Sequence, residues 1–412
     1  MENNAIQVNS EIGRLQSVLL HRPGQEVENI TPQTMERMLF DDVPYQKIAA
    51  AEHDYFAQTL RKHGVETVYV EQLLEDIFQD EQVLDAFLTD YLREHYYTGA
   101  AAHDLMTYFH TLAPADLVAT IYAGVRRNQV SFKRPSLHDV AGSDAANPFI
   151  LDPLPNAYFT RDPQAMMGTG LTINRMSFAA RQPESLISQY IIQYHPRFAG
   201  KVDLWQGRTG DARLEGGDEL VLSDHVLAIG VSQRTSTRSI EKLARELFTN
   251  PHSHFDRVVA VEIPHNHAMM HLDTVFTMVN YDQFTVYPGI MNEAGELNIN
   301  ILEPGAHGEL RLLHRTDLAA TLKEVLDLSE IDVMETGNGD PVVAAREQWN
   351  DGSNNLAIAP GEVITYDRNH VSVELMRQHG LQVYEIHSSE LSRGRGGARC
   401  MSQPIRRAPL AN

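Results

Sequence analysis

The sequence predicts an α/β fold: a five-fold pseudo-symmetric α/β propeller, built from a repeated unit of helix, strand and hairpin, with an inserted α-helical module. Three observations support this prediction. Pairs of short β-branched or apolar stretches, each preceded by a polar residue and divided by a turn, recur about five times and indicate hairpins. Helical patterns that end in His-Gly lead into further strands. One long stretch contains only helical patterns.

The candidate hairpins begin at five places along the chain. In a barrel built from repeated units, the polar residues at the starts of these hairpins are expected to converge on the centre. The predicted strands are 15–20, 157–160 with 171–173, 220–222 with 226–229, 275–279 with 284–287, and 356–358 with 363–366.

Two helical patterns between the hairpins share one ending. Each ends in a His-Gly pair, which indicates a C-cap because glycine readily adopts the backbone conformation that ends a helix. The helices are predicted over 55–60 and 371–377, the pairs are His63-Gly64 and His379-Gly380, and the strands that follow are 65–70 and 381–386.

The stretch from Glu71 to Asn147 breaks this pattern. Apolar residues recur there at helical spacing, which predicts successive helices. We therefore predict an inserted helical module over 71–147 and a catalytic α/β propeller domain over 1–70 and 148–412.

The composition is that of a globular protein. Of 412 residues, 42% are hydrophobic and 22% are charged, and no apolar run is long enough to span a bilayer, so no membrane partner is expected. The net charge of -21 argues against a nucleic-acid partner, because nucleic-acid binding needs a basic footprint. A single Arg-Gly-Arg-Gly-Gly stretch outside any low-complexity region does not change that expectation. The charge is compatible with a small cationic substrate.

The one cysteine, Cys400, lies in a run of glycines and arginines near the C-terminus, an unusual place for a core residue. A lone cysteine cannot form an intrachain disulfide, so a reducing, cytoplasmic setting is expected. A thiol attacks as a thiolate, and the nearby cations Arg393, Arg395 and Arg399 are expected to lower the pKa of Cys400. The sequence predicts a nucleophile, with a buried, inert cysteine as the alternative.

Polar residues at the hairpin starts complete a candidate site. A planar guanidinium offers five N–H donors, so two carboxylates could hold its central carbon in front of a thiolate. A histidine could act as acid and base, protonating the leaving amine and then activating water. Taken singly, Asp162 could instead begin a turn, and the Glu215 to Asp218 segment could be a tight loop. The candidate residues are Asn156, Asp162, Glu215, Asp218, His271 and Asp273.

Four motifs contain these residues. They are Phe159-Thr160-Arg161-Asp162-Pro163, Glu215-Gly216-Gly217-Asp218, His271-Leu272-Asp273 and the run from Ser389 to Met401. In order and spacing they resemble the motifs of the bacterial arginine deiminases, in the guanidine-modifying or pentein superfamily, and the resemblance extends from Leu15 to the last strand. One departure is Ala398, where the family has proline; this change is expected to loosen the loop before the nucleophile.

The resemblance implies a reaction and catalytic roles. It implies hydrolysis of L-arginine to L-citrulline and ammonium without cofactor or metal, as the first step of fermentative arginine catabolism, by a homo-oligomer (dimer or tetramer). Cys400 would form a covalent S-amidino intermediate, and His271 would be the acid and base. Asp162 and Asp273 would bind the guanidinium, and Glu215 would orient His271.

The resemblance also implies roles in binding the rest of the substrate. Arg181, Arg234 and Arg395 would hold its α-carboxylate. Asn156 and Asp218 would act at the α-amino end or in the loop around it. Phe159 would pack against the guanidinium or the aliphatic chain, although it could equally be a core residue.

Three other functions were weighed against this one. The spacing of His265, His267, His271 and Asp273 is compatible with a metal-dependent hydrolase, but that function leaves Cys400 without a role. An amidinotransferase would use the same cysteine and histidine and pass the amidino group to an amine. A non-catalytic arginine-binding or host-interaction protein is the third alternative, although no catalytic residue is missing.

Overall fold

The computed structural model of the chain describes residues 5–133, 137, 147–306 and 308–410. Its strands form five sheets of at least three strands each, together with a two-stranded ribbon. In each of the five sheets, one strand pairs antiparallel with one neighbour and parallel with the other. The α/β class predicted from the sequence is therefore confirmed.

The strands are short and largely buried, as expected for sheets covered by helices. In chain order they are β1 (Leu15–Leu20), β2 (Glu66–Tyr69), β3 (Val125–Arg126), β4 (Phe149–Leu151), β5 (Gln164–Met167), β6 (Gly170–Ile173), β7 (Asp203–Gln206), β8 (Glu219–Val221), β9 (Val226–Val231), β10 (Arg257–Glu262), β11 (Phe276–Met278), β12 (Gln283–Val286), β13 (Ile299–Pro304), β14 (Leu310–Arg315), β15 (Asp332–Glu335), β16 (Leu356–Ala359), β17 (Glu362–Tyr366), β18 (Gln382–Ile386) and β19 (Gln403–Arg407). The sheets have the orders β19-β1-β2, β5-β6-β7, β14-β13-β10-β9-β8, β11-β12-β15 and β16-β17-β18, and β3 pairs with β4.

Helices connect the parallel strands, because a parallel pair needs a crossover connection. Within the described part of the chain, every helix is too short or too polar to cross a bilayer. The helices are α1 (Gln25–Glu28), α2 (Gln46–Lys62), α3 (Val70–Ile77), α4 (Glu81–Glu94), α5 (Gly99–Phe109), α6 (Pro114–Ala123), α7 (Gln182–Tyr194), α8 (Thr237–Thr249), α9 (Leu318–Leu326), α10 (Pro341–Trp349) and α11 (His370–Gln378). The crossover helices of the five sheets are α2, α7, α8, α9 and α11.

Three of the predicted hairpins are present as β8-β9, β11-β12 and β16-β17. The predicted strand over 157–160 is wrong. That segment is a series of turns in which the Phe159 N–H donates to the Asn156 carbonyl at 2.9 Å, and the strand begins only at Gln164. The segment resembles a strand because its side chains are buried, but its backbone turns, and Phe159 lines the cavity described below.

The first predicted hairpin is also wrong in its pairing. β1 does not form a hairpin with the residues directly after it. It pairs antiparallel with β19, near the end of the chain, and parallel with β2. Sequence patterns detect local turns and cannot show a partner several hundred residues away. The predicted helix ends are confirmed: α2 and α11 stop at His63 and His379, and Gly64 and Gly380 have φ of 80° and 85°.

The predicted succession of helices after Val70 is present as α3 to α6. Residues 134–136 and 138–146, in the last part of the predicted module, lie outside the described residues. Phe87 on α4 meets Tyr190 on α7 edge to face, and the Tyr190 hydroxyl donates to Asp90 at 2.7 Å. The apolar residues of α3 to α6 belong to one cluster with those of β5, β6 and α7. The helices are thus packed onto the second sheet.

A buried ion-pair cluster joins β1 to these helices. His21, which follows β1, contacts Glu26 at 3.2 Å and Glu71 at 2.9 Å, and its ring lies 4.2 Å from that of Tyr122. Burial alone lowers the pKa of His21, but the two carboxylates raise it to about 10. His21 is therefore a cation at neutral pH.

Because the pKa of His21 is above its unfolded value of about 6.5, its contribution to stability is complete below that pH and is lost as the pH rises through about 10. We expect His21→Gln to remove about 2–4 kcal/mol of unfolding free energy at pH 7 and much less at pH 10, as measured by urea titration. His252→Gln, which removes an exposed His–Asp203 pair, is the control and should keep the wild-type dependence. An equal loss at both pH values would contradict the role of His21.

Candidate active site

A small cavity opens among the starts of the strands. The site residues precede different sheets: Asp162 precedes β5, Glu215 precedes β8, His271 precedes β11 and Cys400 precedes β19. The predicted convergence of the hairpin starts is thus observed. The cavity is lined by Leu39, Asn156, Phe159, Asp162, Arg181, Arg234, Met270, His271, Gly394, Arg395 and Cys400.

His271 is buried between carboxylates. Its Nε2 lies 2.8 Å from Glu215 Oε2, and its Nδ1 lies 3.7 Å from Asp162 Oδ1. Burial lowers the pKa of His271, but Asp162, Glu215 and Asp218 more than offset that effect and raise it to about 9. His271 is therefore protonated at neutral pH. Its Nδ1 is directed towards Asp162, which also lines the cavity.

The Glu-Gly-Gly-Asp segment is closely packed against this histidine. A Cβ added at Gly217 would lie 2.6 Å from His271 Nδ1 and 3.0 Å from Asp162 Oδ1. Only glycine lets the backbone approach so closely. Glu215 is held by the Ser177 N–H at 2.8 Å and by Arg234 Nη1 at 3.1 Å. Burial favours its neutral form, but Arg234 and His271 hold its pKa below the ordinary value.

Asp162 and Asp273 are each paired with a buried arginine through one oxygen. Asp162 Oδ2 accepts from Arg181 Nη1 at 2.6 Å, and Asp273 Oδ2 accepts from Arg399 Nη1 at 2.8 Å. The other oxygen of each, Oδ1, has no hydrogen-bond partner among the described residues. Two buried carboxylate oxygens of the described chain thus lack a hydrogen-bond partner; Asp162 lines the cavity, whereas Asp273 is not among its lining residues.

Arg399 and Arg181 are themselves held by further carboxylates. Both oxygens of Glu11 accept from the Nε and Nη2 groups of Arg399, at 2.9 and 3.0 Å. Glu184 accepts from the Nε and Nη2 groups of Arg181. Burial lowers the pKa of Arg399, but Glu11 and Asp273 reverse the effect and keep it above the ordinary value. Each arginine therefore connects a cavity carboxylate to a supporting one.

The expected lowering of the Cys400 pKa by its neighbouring arginines is wrong. Burial and the carboxylates of Asp273, Asp162 and Asp351 raise the pKa of Cys400 well above its ordinary value, and only Arg399 opposes them. The other two arginines are directed elsewhere. Arg393 pairs with Asp42 and Glu390 at the surface, and Arg395 pairs with Asp41. Without a bound cation, Cys400 is a thiol at neutral pH.

Arg395 lies at the cavity in a strained conformation. Its φ is 63°, unusual for a residue with a Cβ. Its guanidinium lies over the Trp349 ring at 3.5 Å, and its nitrogens contact Asp41 Oδ2 at 3.4 Å and the Ala268 carbonyl at 3.3 Å. Arg395 thus has protein partners in this state and would have to leave them to bind a carboxylate.

The remaining predicted residues divide into two groups. Arg234 and Phe159 line the cavity, and so does Asn156, although the Asn156 side chain donates to the Met38 carbonyl at 2.7 Å. Asp218 does not line it. Its oxygens accept from the Leu272 N–H at 2.8 Å and the Ser232 hydroxyl at 2.7 Å, so it supports the His271 segment.

The alternative metal site is not assembled. Among the described residues, no group of three or more His, Cys, Asp or Glu side chains is arranged to hold a metal ion. His267 pairs with Asp41 at 2.8 Å, whereas His271 is directed at Glu215. The ligand spacing in the sequence therefore does not correspond to a ligand cluster.

Several site residues were not identified from the sequence. Asn354 contacts Cys400, Trp349 stacks under Arg395, and Glu11 and Glu184 hold the supporting arginines. Asn354 directly precedes the predicted hairpin that starts at residue 356, and that position is its one signal in the sequence. The others reach the site from distant positions with no motif around them.

Solved structures show the same architecture at low sequence identity. AgrE, in a ternary complex with ornithine and NAD+, has a TM-score of 0.55 and 13% identity; the match covers 96% of this chain and 40% of AgrE. The N-terminal domain of ArgZ, a cyanobacterial arginine dihydrolase, has a TM-score of 0.54 and 14% identity, covering 95% of this chain and 97% of that domain. These structures share the α/β pentein fold, and this chain has it too.

Relatives of higher sequence identity identify the family. Arginine deiminase of Lactococcus lactis subsp. cremoris is 61% identical over 410 residues, covering 99% of this chain and 100% of that protein. Arginine deiminase of Limosilactobacillus fermentum is 56% identical over 406 residues, covering 98% and 99%. The sequence model of the arginine deiminase family matches residues 36–407. The chain belongs to the arginine deiminase family, which confirms the resemblance.

The Glu11–Arg399 pair provides a test of the buried charges. We expect Glu11→Gln to lower the free energy of unfolding by about 3–5 kcal/mol, because Arg399 would keep its charge with one counterion fewer. Glu324→Gln removes an equally bidentate but exposed pair with Arg315 and should cost less than about 1 kcal/mol. Urea-induced unfolding measures both. Similar losses of unfolding free energy in the two variants would show that burial does not make the Glu11–Arg399 pair more important than an exposed pair.

Proposed function

We propose that the protein hydrolyses L-arginine to L-citrulline and ammonium through a covalent S-amidino intermediate on Cys400. The observation that carries this proposal is a pair of carboxylates, Asp162 and Asp273, that lie near a buried thiol and each keep one oxygen, Oδ1, without a hydrogen-bond partner among the described residues. A guanidinium presents N–H groups on both sides of its central carbon, so the two carboxylates can grip it. Membership of the arginine deiminase family supports the assignment.

Binding of the guanidinium changes the charge around Cys400. Without substrate, burial and three carboxylates keep the thiol protonated. A cation between Asp162 and Asp273 offsets the charge of those carboxylates and favours the thiolate, so the thiol releases its proton to solvent and the nucleophile forms when its target is in place. The thiolate then attacks the guanidinium carbon, which becomes tetrahedral.

His271 transfers protons in both halves of the reaction. Protonated in the free enzyme, it gives its proton to the departing nitrogen, and ammonia leaves. The neutral imidazole then takes a proton from water, and the resulting hydroxide attacks the amidino carbon. The C–S bond then breaks, the thiolate of Cys400 is restored, and the remaining hydroxyl proton passes through solvent to the released ammonia, so that the products are citrulline and ammonium. Glu215, at 2.8 Å from Nε2, keeps Nδ1 directed at the reacting groups.

The finer fold, assembly and location are part of this proposal. Five sheets that share one strand pattern, with the first sheet joining both ends of the chain, support a closed five-fold propeller. We propose residues 71–147 as the helical module inserted into the catalytic domain formed by 1–70 and 148–412. A homo-oligomer and a cytoplasmic location remain proposals, the latter supported by the single free thiol.

Removing the nucleophile tests the reaction. Cys400→Ala should lower citrulline formation by about 10⁴-fold or more, because no covalent intermediate can form. Acid-quenched wild-type enzyme should carry an amidino adduct on Cys400 by mass spectrometry, and the variant should carry none. Met401→Leu, a volume-conserving change at the next residue, is the control. Substantial turnover by Cys400→Ala would refute covalent catalysis.

The role of Arg395 can be tested with agmatine, which is arginine without its α-carboxylate. If Arg395 moves from Trp349 to bind that carboxylate, Arg395→Ala should lower kcat/KM for arginine by roughly 10²-fold and for agmatine much less. Arg393→Ala, which removes a surface cation two residues away, should affect both substrates equally. Equal losses of kcat/KM for the two substrates in Arg395→Ala would show that Arg181 or Arg234, and not Arg395, recognises the carboxylate.

A further inference from the structure

The side chain of Asn354 contacts the sulfur of Cys400. Asn354 is completely buried, and its Nδ2 lies 3.1 Å from Cys400 Sγ. The same Nδ2 donates to the Asp273 carbonyl at 2.9 Å, and Oδ1 accepts from the Cys400 backbone N–H at 3.0 Å. Both amide hydrogens and the amide oxygen therefore have partners on the two site segments.

These partners fix the orientation of the amide, which the side-chain shape alone leaves open. The Cys400 backbone N–H can only donate, so it must face Oδ1. The Asp273 carbonyl can only accept, so it must face Nδ2. An N–H group is consequently directed at the sulfur.

The other groups around the sulfur do not provide such a donor. Asp273 Oδ2 accepts from the thiol at 3.5 Å, and Asp162 and Asp351 add negative charge. Arg399 favours a thiolate through its charge, but its hydrogen bonds go to Glu11, Asp273 and the Glu219 carbonyl. Among the described residues, Asn354 alone donates a hydrogen bond to Sγ. The other titratable side chains that surround Cys400 are Tyr158, Tyr366 and His271.

We propose that Asn354 is a further catalytic residue, whose side-chain N–H holds the Cys400 thiolate by a hydrogen bond to Sγ. This proposal rests on the proposed function of Cys400 as nucleophile. A thiolate accepts this bond more strongly than a neutral thiol does, so the bond favours the reactive form. It also stabilises the sulfur when citrulline leaves and the negative charge returns to it.

The loop that carries the nucleophile is shaped around this amide. A Cβ added at Gly397 would lie 2.8 Å from the Asn354 carbonyl oxygen and 2.9 Å from its Cβ and Oδ1. Such distances exclude any larger residue without displacement of the backbone. Gly397 thus permits the close approach that brings the amide to Cys400.

Because Cys400 is the only cysteine, its thiolate can be followed without interference. Iodoacetamide alkylation, quantified by mass spectrometry across pH, reports the thiolate fraction. In Asn354→Leu, which has a similar size but loses both N–H donors and the Oδ1 acceptor of the amide, we expect the alkylation profile to move up by about one pH unit or more. The kcat for arginine at pH 7 should fall by about 10²-fold, as when one donor is lost from an anion-binding site.

The adjacent Asn355 provides a matched control. It is equally buried, but its amide donates to the Thr285 hydroxyl at 3.0 Å and the Gly352 carbonyl at 3.3 Å. Asn355→Leu should leave the alkylation profile unchanged even if it lowers stability. If Asn354→Leu does not fold, Asn354→Ser, whose side chain is shorter and uncharged, replaces it in the same measurement.

The outcomes separate this proposal from the proposed function. An unchanged alkylation profile and unchanged kcat in the Asn354 variant would overturn the role of Asn354 while leaving covalent catalysis intact. Activity retained by Cys400→Ala would overturn the proposed function itself. Equal shifts in the Asn354 and Asn355 variants would show a general effect of packing and would also overturn the proposal.

Discussion

The site depends on the pairing of buried carboxylates with buried arginines. An isolated charge in this interior would be strongly unfavourable, and the carboxylates that face the cavity would otherwise take up protons. Asp162 and Asp273 each use one oxygen to bind an arginine and keep the other for a ligand. The arginines are bound in turn by Glu184 and Glu11, so a cationic substrate enters a network in which carboxylates outnumber arginines.

This arrangement links the state of the nucleophile to the presence of a cation. The same carboxylates that attract a guanidinium raise the pKa of Cys400 when the cavity is empty. An empty site therefore holds a thiol, which reacts slowly with oxidants and electrophiles, because the thiolate is the reactive form. Selectivity for a cationic substrate and protection of the sulfur have one electrostatic cause.

The sequence predicted those features that are encoded locally. Glu215, Gly217 and His271 lie in short motifs, and Gly217 packs directly on the imidazole of His271. The hairpins that follow these motifs are formed by local turns. Features that depend on distant contacts were missed or misjudged. Arg399 does lower the pKa of Cys400, as expected, but the sequence does not show its partner Glu11, which lies near the other end of the chain.

The turns at 157–160 illustrate a second limit. The residues there are apolar, as in a strand, yet the backbone turns beside the cavity. Composition indicates that side chains are buried but does not indicate what they pack against. Asn354 has the same difficulty: a buried asparagine before a strand is an ordinary turn residue until the sulfur beside it is located.

The pairing of β1 with β19 has a consequence for biosynthesis. The chain leaves the ribosome from its N-terminus, and Glu11 and β1 emerge long before Cys400 and β19, which complete both the first sheet and the site. Until then β1 lacks one strand partner and Glu11 lacks its arginine. Cys400 lies just before β19, so the site can form only after this strand has been synthesised. A chain that stops before β19 therefore cannot degrade arginine, the amino acid that its own synthesis consumes.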